Sequence, residues 1–333
     1  PDENATWIEL DRAAYAAAME GRVADRLTLA SRAFAIAKTP DQRAYSSLRE
    51  AGAWDQLGRY SNAMEAARRG LRERDLSPVV YCDLKGALAS AHLMLGDIEE
   101  GEALATTLNE RLQSDRRFAN VYSGARAFVR FLMALASGDR ASHGGPDATQ
   151  LARIAREHYA SAKVLAERHA SESGSSLHRS IAMGCECGIL EMDVLLGEVT
   201  PESAIDDLLA GLDADTESQA VPDACLEAIG WSCIVGSQLV LRFVEDPSLA
   251  DRQLAIFTNK ADDIARRTGN WALRERIWML EYRKAEKGAP LDFSATVLDP
   301  EDLRDLTGTM GRFPAFREVG WSLLRGARRI GEV

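Results

Sequence analysis

Side chains that could do chemistry are present in this chain, but their spacing assembles almost none of the usual reactive sites. The five histidines are His92, His143, His158, His169 and His178. None falls in a His-Glu-x-x-His metal motif, and none has a Glu three residues ahead, so the Glu-x-x-His pattern of di-iron bundles is missing too. His158 and His169 share a helix face without a third ligand, and solvated or helix-capping imidazoles are the simpler reading. Cys185-Glu186-Cys187 has the look of a metal or redox fragment. On a helix, however, residues two apart point about 200° from one another, so the two thiols cannot chelate together. With Cys225 and Cys233 elsewhere, nothing in the spacing specifies a four-thiolate site. Asp206-Asp207 and Asp262-Asp263 resemble the start of an Asp-rich magnesium motif. Four residues past the first Asp stand Ala210 and Arg266, so no further carboxylate joins either face, and the polar sides of amphipathic helices explain both pairs. No Gly-x-Ser-x-Gly, Walker A or Gly-x-Gly-x-x-Gly sequence occurs. No catalytic residue, metal site or cofactor is expected, and an enzyme is not the leading reading.

The elements that must position any site are helical. The 333 residues are 46% hydrophobic and only 7% aromatic, rich in Ala and Leu and poor in β-branched alternation, which predicts an all-α chain with a substantial core. The net charge of −11 argues against a nucleic-acid footprint. Clusters such as Arg68, Arg69, Arg72 and Arg74 sit where they complement helix C-termini. Five cysteines, Cys82 included, lie in apolar helical stretches, which fits reduced, buried thiols of a cytoplasmic protein. No run of 18 apolar residues predicts membrane insertion. The chain starts at Pro1, without Met or a signal-like pattern, which is consistent with a further part upstream.

Three stretches repeat one frame, around Gly21, Gly58 and Gly96, with glycines 37 and 38 residues apart. In each, a helix-like run ends at Gly, an apolar residue follows two positions later (Val23, Tyr60, Ile98), and a second helix begins. Small residues recur seven positions ahead of each Gly, at Ala14, Ala51 and Ala89. This period belongs to helical-hairpin arrays. Gly58-Arg59-Tyr60-Ser61-Asn62-Ala63 matches the Gly-x-Tyr-x-x-Ala turn of the tetratricopeptide repeat (TPR) family. Gly96-Asp97-Ile98-Glu99-Glu100-Gly101 matches it with two replacements, and Gly21-Arg22-Val23-Ala24-Asp25-Arg26 more loosely, with Arg26 where a small residue belongs. The units exceed the family's usual length of about 34 residues, and the resemblance covers residues 1–113.

The repeat frame divides the chain into three parts. Residues 1–113 are three TPR-like hairpins. Residues 114–287 hold longer, degenerate hairpins that continue an α-solenoid or form a separate bundle. Within them a helix is predicted near 115–137, ending at Gly138. Residues 288–333 are a linker, over 288–298, and capping helices near 299–309 and 314–330.

The resemblance implies a partner-binding groove lined by the first helix of each hairpin. Carried across, it places Asp11 and Tyr15, then Tyr45, Arg49 and Asp55, then Asp83 and Ser90, with Phe128 and Arg130 from the fourth unit. The Lys/Asn/Arg clamp with which some family members hold a chaperone's terminal carboxylate is missing, since Asp83 stands where a Lys is needed. A mixed acidic and aromatic groove suits a neutral or basic protein or peptide segment. The expected function is therefore a protein- or peptide-binding adaptor, scaffold or regulatory module. The alternative is a ligand-gated regulatory domain of a larger protein that binds a small molecule or peptide, with a helical enzyme as a third reading. Oligomeric state is not legible.

Overall fold

The structure is a computed structural model that describes residues 5–217, 223–286, 293, 294, 296–298, 300–312 and 317–329. The protein is all-α. Its first six helices are α1 (Trp7–Met19), α2 (Val23–Ile36), α3 (Pro40–Gln56), α4 (Tyr60–Leu71), α5 (Pro78–Met94) and α6 (Ile98–Ser114). A 3-10 turn at Arg116–Phe118 leads into α7 (Ser123–Ser142), α8 (Ala148–Ser173) and α9 (Ser176–Leu196). Then come α10 (Pro201–Glu217), α11 (Asp223–Phe243), α12 (Pro247–Thr268) and α13 (Trp271–Glu286). Last are α14 (Pro300–Arg312) and α15 (Arg317–Gly326). Two strands of two residues each, Val297–Leu298 and Arg328–Arg329, pair in parallel.

Local signals set the helix limits. Thr6 and Thr39 each close a capping box, with Glu9 and Gln42 reaching back to the cap backbone. Pro40, Pro78 and Pro247 occupy the first turn of α3, α5 and α12, where no amide donor is needed. The three repeated glycines adopt φ of +73°, +65° and +84°. In each case the amide after the Gly returns to a carbonyl five residues back: Arg22 to Ala17, Arg59 to Trp54 and Asp97 to His92, all at 2.9 Å. That is one Schellman turn built three times. Gly197 repeats it, with Glu198 bonded to Asp193 at 2.9 Å.

Chain contacts divide the protein into two compact units, 1–273 and 274–333. In the first, each helix from α1 to α9 packs on its successor, and α1, α3, α5, α7 and α9 also touch in that order. α9 continues onto α11, and α11 onto α12. Ala14, Ala51 and Ala89 are fully buried at these crossings. Elsewhere glycine does the same job: a Cβ on Gly188 of α9 would come within 2.5 Å of the Tyr159 ring of α8. In the second unit, Arg274 pairs with the buried Asp302 at 2.5 Å, and Met310 of α14 lies against Gly320 of α15.

Three sequence expectations change. The helix predicted near 115–137 is a 3-10 turn followed by α7, which runs past the buried Gly138; a Cβ there would lie 3.6 Å from the Met192 methyl and from the Tyr159 hydroxyl. Gly138 does not stop the helix. The histidines are not uniformly solvated, because His92 and His178 are buried. The two helices expected near 299–309 and 314–330 fall at Pro300–Arg312 and Arg317–Gly326, while 288–292 and 295 of the expected linker lie outside the described residues.

These crossings give a paired stability test. Gly188→Ala should destabilise by about 1–3 kcal/mol through overpacking against Tyr159. Gly211→Ala, in a helix where a Cβ meets nothing within 4 Å, should stabilise by about 0.5–1 kcal/mol. Urea denaturation followed by circular dichroism reads both.

Candidate functional site

The richest concentration of polar and aromatic side chains lies along the face where α1, α3 and α5 meet. Helical spacing builds it. Trp7, Asp11 and Tyr15 recur every four residues on α1, and Tyr45 and Arg49 do so on α3, so each set projects from one side. Arg49 holds Asp11 in a two-pronged pair, Nε to Oδ1 at 2.8 Å and Nη2 to Oδ2 at 3.2 Å. The same guanidinium lies 5.0 Å from the centre of the Tyr15 ring. Trp7 meets Tyr45 edge-on at 6.3 Å and donates its indole N–H to Ser46 Oγ at 3.1 Å.

One helix further, Asp83 of α5 accepts the Tyr122 hydroxyl at 2.9 Å. Burial pushes the Asp83 carboxyl up to about 6, against the pull of the Tyr122 hydrogen bond and the Arg49 charge. Burial also raises Tyr122 and Tyr45 above the ordinary phenol value, so both remain neutral donors. Tyr122 then stacks toward two imidazoles, with ring centres 5.2 Å from His169 and 6.2 Å from His178. Those two rings meet edge to face at 4.3 Å over Gly124, where a Cβ would lie 2.1 Å from His178 Nε2. Ser175 Oγ and His178 Nδ1 are 2.8 Å apart, and Ser123 Oγ and His169 Nδ1 are 3.2 Å apart. Burial lowers His178 to about 4.

Toward the C-terminal end of α3, Asp55 accepts from Ser90 Oγ at 3.4 Å, and burial raises it to about 6. Arg26 of α2 is buried beside it, donating to Gln56 Oε1 at 2.8 Å, with Nε lacking a hydrogen-bond partner. Burial, then the nearby Arg49 charge, lower Arg26 to about 10. Its guanidinium fills the space over Gly52, where a Cβ would stand 2.1 Å from Nη2. Glu227 of α11 faces Asp55 and accepts from Trp231; burial and the Asp55 charge raise it to about 8.

Of the nine groove residues read from sequence, Asp11, Tyr15, Tyr45, Arg49, Asp83, Asp55 and Ser90 thus lie along one face. Phe128 and Arg130 do not join them. Phe128 packs into the core over Gly86, and Arg130 turns to His158 of α8 at 3.3 Å. Sequence reasoning missed Tyr122, the His169–His178 pair and Glu227. Arg26 left a trace, as a large charged residue at a position that the repeat frame keeps small. The neighbouring helix compensates with Gly52.

The carboxylates of this face are engaged: Asp11 by Arg49, Asp83 by Tyr122 and Asp55 by Ser90. Ser175 is the N-cap of α9 and is buried, so its contact with His178 is a folded-state bond with no opening for a substrate. All five cysteines are buried, and burial pushes Cys82, Cys185 and Cys187 up to about 12, far from a reactive thiolate. Asp206 and Asp207 are exposed, and Asp262 pairs with Arg266 along its own helix. Among the described residues no group of three His, Cys, Asp or Glu side chains could hold a metal ion, and no helix is long and apolar enough to cross a membrane. Neither any protein-family model nor any curated protein matches this chain.

The buried groups make stability depend on pH in opposite directions. Asp83 has a raised folded pKa, so its contribution is present below pH 3.8 and is lost as pH rises through about 6. Asp83→Asn, which keeps an acceptor for Tyr122, should be more stable than wild type at pH 8 by about 1–2 kcal/mol. That gain should vanish near pH 4 in urea titrations. His178 has a depressed pKa, so its contribution is present above pH 6.5 and is lost as pH falls through about 4. His178→Gln should therefore flatten the acid limb of the same curve, which in wild type costs up to about 3 kcal/mol.

Proposed function

We propose that residues 1–273 form a TPR-like solenoid that binds a neutral or basic protein or peptide segment along the face of α1, α3 and α5, as an adaptor, scaffold or regulatory module. The observation that carries this reading is the series of contacts Tyr15–Arg49–Asp11, Trp7–Tyr45 and Asp83–Tyr122, which runs across successive helices instead of converging on one reactive point. Such a series gives a bound segment side-chain partners at intervals, with the aromatic rings supplying apolar area. Tyr15 is 44% exposed and is the accessible aromatic of the set.

A second reading is a ligand-gated regulatory domain. It draws support from contacts between residues more than 200 apart in sequence, including the hydrogen bond from Asn270 Nδ2 to Gln56 O. Such contacts let an occupant of the face bias a distant part of the chain.

The test is affinity capture with the intact chain, comparing wild type with Tyr15→Ala/Arg49→Ala and with Val164→Ser, a control on an exposed surface of α8. Circular dichroism must first show equal helicity. A partner kept by wild type and the control, and reduced at least tenfold by the double variant, supports the reading. Equal recovery by all three excludes this face.

A further inference from the structure

The face of α1, α3 and α5 is partly occupied by the chain itself. The C-terminal ends of these helices meet elements that arrive from far along the sequence. Ser176, at the start of α9, reaches the Met19 carbonyl at 3.5 Å. Trp231 of α11 and Ala272 of α13 enter a cluster with Tyr60 and Met64 of α4 and Ala91, Met94 and Leu95 of α5.

The firmest of these joints is at the α12–α13 turn. The Trp271 amide donates to the Leu57 carbonyl at 2.8 Å, and Asn270 Nδ2 donates to the Gln56 carbonyl at 3.1 Å. The other end of the same amide, Oδ1, accepts from the Leu273 amide at 3.0 Å and so caps α13. Asn270 is fully buried. On the opposite side the turn glycine Gly58 leaves no room: a Cβ there would lie 2.4 Å from the Ala272 nitrogen and 2.6 Å from Asn270 Oδ1. Arg59, the next residue, sits 5.4 Å from the centre of the Trp271 ring. The joint is therefore specific in shape and in hydrogen bonding.

Its neighbourhood is not fully favourable. Burial, then the charge of nearby Asp55, raise Glu227 of α11, while burial raises Asp55 against the pull of the Arg26 charge. Burial of two neighbouring carboxyls disfavours ionising both, so raising the pH through their range weakens this neighbourhood.

We propose that the α12–α13 turn is a latch: Asn270 and Trp271 clip α11 and the start of α13 over the ends of α3 and α5, and the latch must release before a partner segment can occupy the whole face. The latch rests on α1, α3 and α5 being the binding face and adds the regulation of that face. Release costs two hydrogen bonds and the packing of Ala272 and Trp231, while the repeated turns at Gly21, Gly58 and Gly96 stay formed.

Two variants of the full chain separate a latch from general loss of structure. Asn270→Asp keeps an oxygen to cap α13 but replaces the donor to Gln56 with a second acceptor. Gly58→Ala adds the methyl that collides with Ala272. Its control is Gly96→Ala, a left-handed position in the same turn type where a Cβ meets nothing within 4 Å. Hydrogen exchange should show amides of 223–243 and 271–273 exchanging at least tenfold faster in Asn270→Asp and Gly58→Ala than in wild type. Gly96→Ala should leave those segments as in wild type. The latch is overturned if Gly58→Ala and Gly96→Ala alter these segments equally, or if exchange rises uniformly through 5–273. Exchange is read without a partner, so it decides the latch separately from the face. Higher partner recovery by Asn270→Asp than by wild type links the two, and unchanged recovery with an opened latch removes the regulatory link.

Discussion

The structure depends on how closely its helices can approach at a few small residues. Ala14, Ala51 and Ala89 are fully buried. Each belongs to a core cluster, and the first helices of consecutive hairpins touch in order. Gly188 and Gly236 carry the same rule further, lying directly under the rings of Tyr159 and Phe257. Interiors packed to crystal-like density leave little slack, so enlarging one of these positions moves a helix and with it every side chain that the helix presents. The polar face is positioned by apolar contacts on the opposite side of the same helices.

That face carries an electrostatic cost. Asp55, Asp83 and Glu227 are all pushed upward by burial, and Arg26 and His178 downward, so each resists its charged form. A chain selected for stability alone would place apolar residues there, because buried polar groups return little net free energy even when paired. Under the proposed function, several such groups along one face serve recognition. The alternative, that they specify a unique packing of α11 on α3, assigns the same residues to the latch. The two roles are compatible, since both use the ends of α3 and α5.

Much of the first unit was legible in the sequence because it is local. A Schellman turn needs one Gly at the correct offset, and Gly21, Gly58, Gly96 and Gly197 each supplied it. Capping boxes at Thr6 and Thr39 are four-residue signals. Asp11 with Tyr15, and Tyr45 with Arg49, share a side because four-residue spacing alone sets which way they point. Gly138 misled because a glycine late in a helical run reads as a stop, whereas α7 runs past it. Phe128 and Arg130 misled because the units after 113 lengthen, so the repeat frame no longer indicates which side faces its neighbours. Contacts such as Asn270 with Gln56 left no sequence trace at all, since no spacing rule connects residues that far apart.

The division between local and distant contacts has a mechanical consequence. Hairpins that stack on their neighbours gain stability step by step, and each step needs only the next. A joint between residues 57 and 271 is different, because it ties together residues that no nearest-neighbour stacking step brings into contact. In the proposed latch, such a joint is what opens while every hairpin remains folded. Its contacts lie at the ends of α3 and α5, so under the proposed function its release would act on the face that carries Asp11, Arg49 and Asp83.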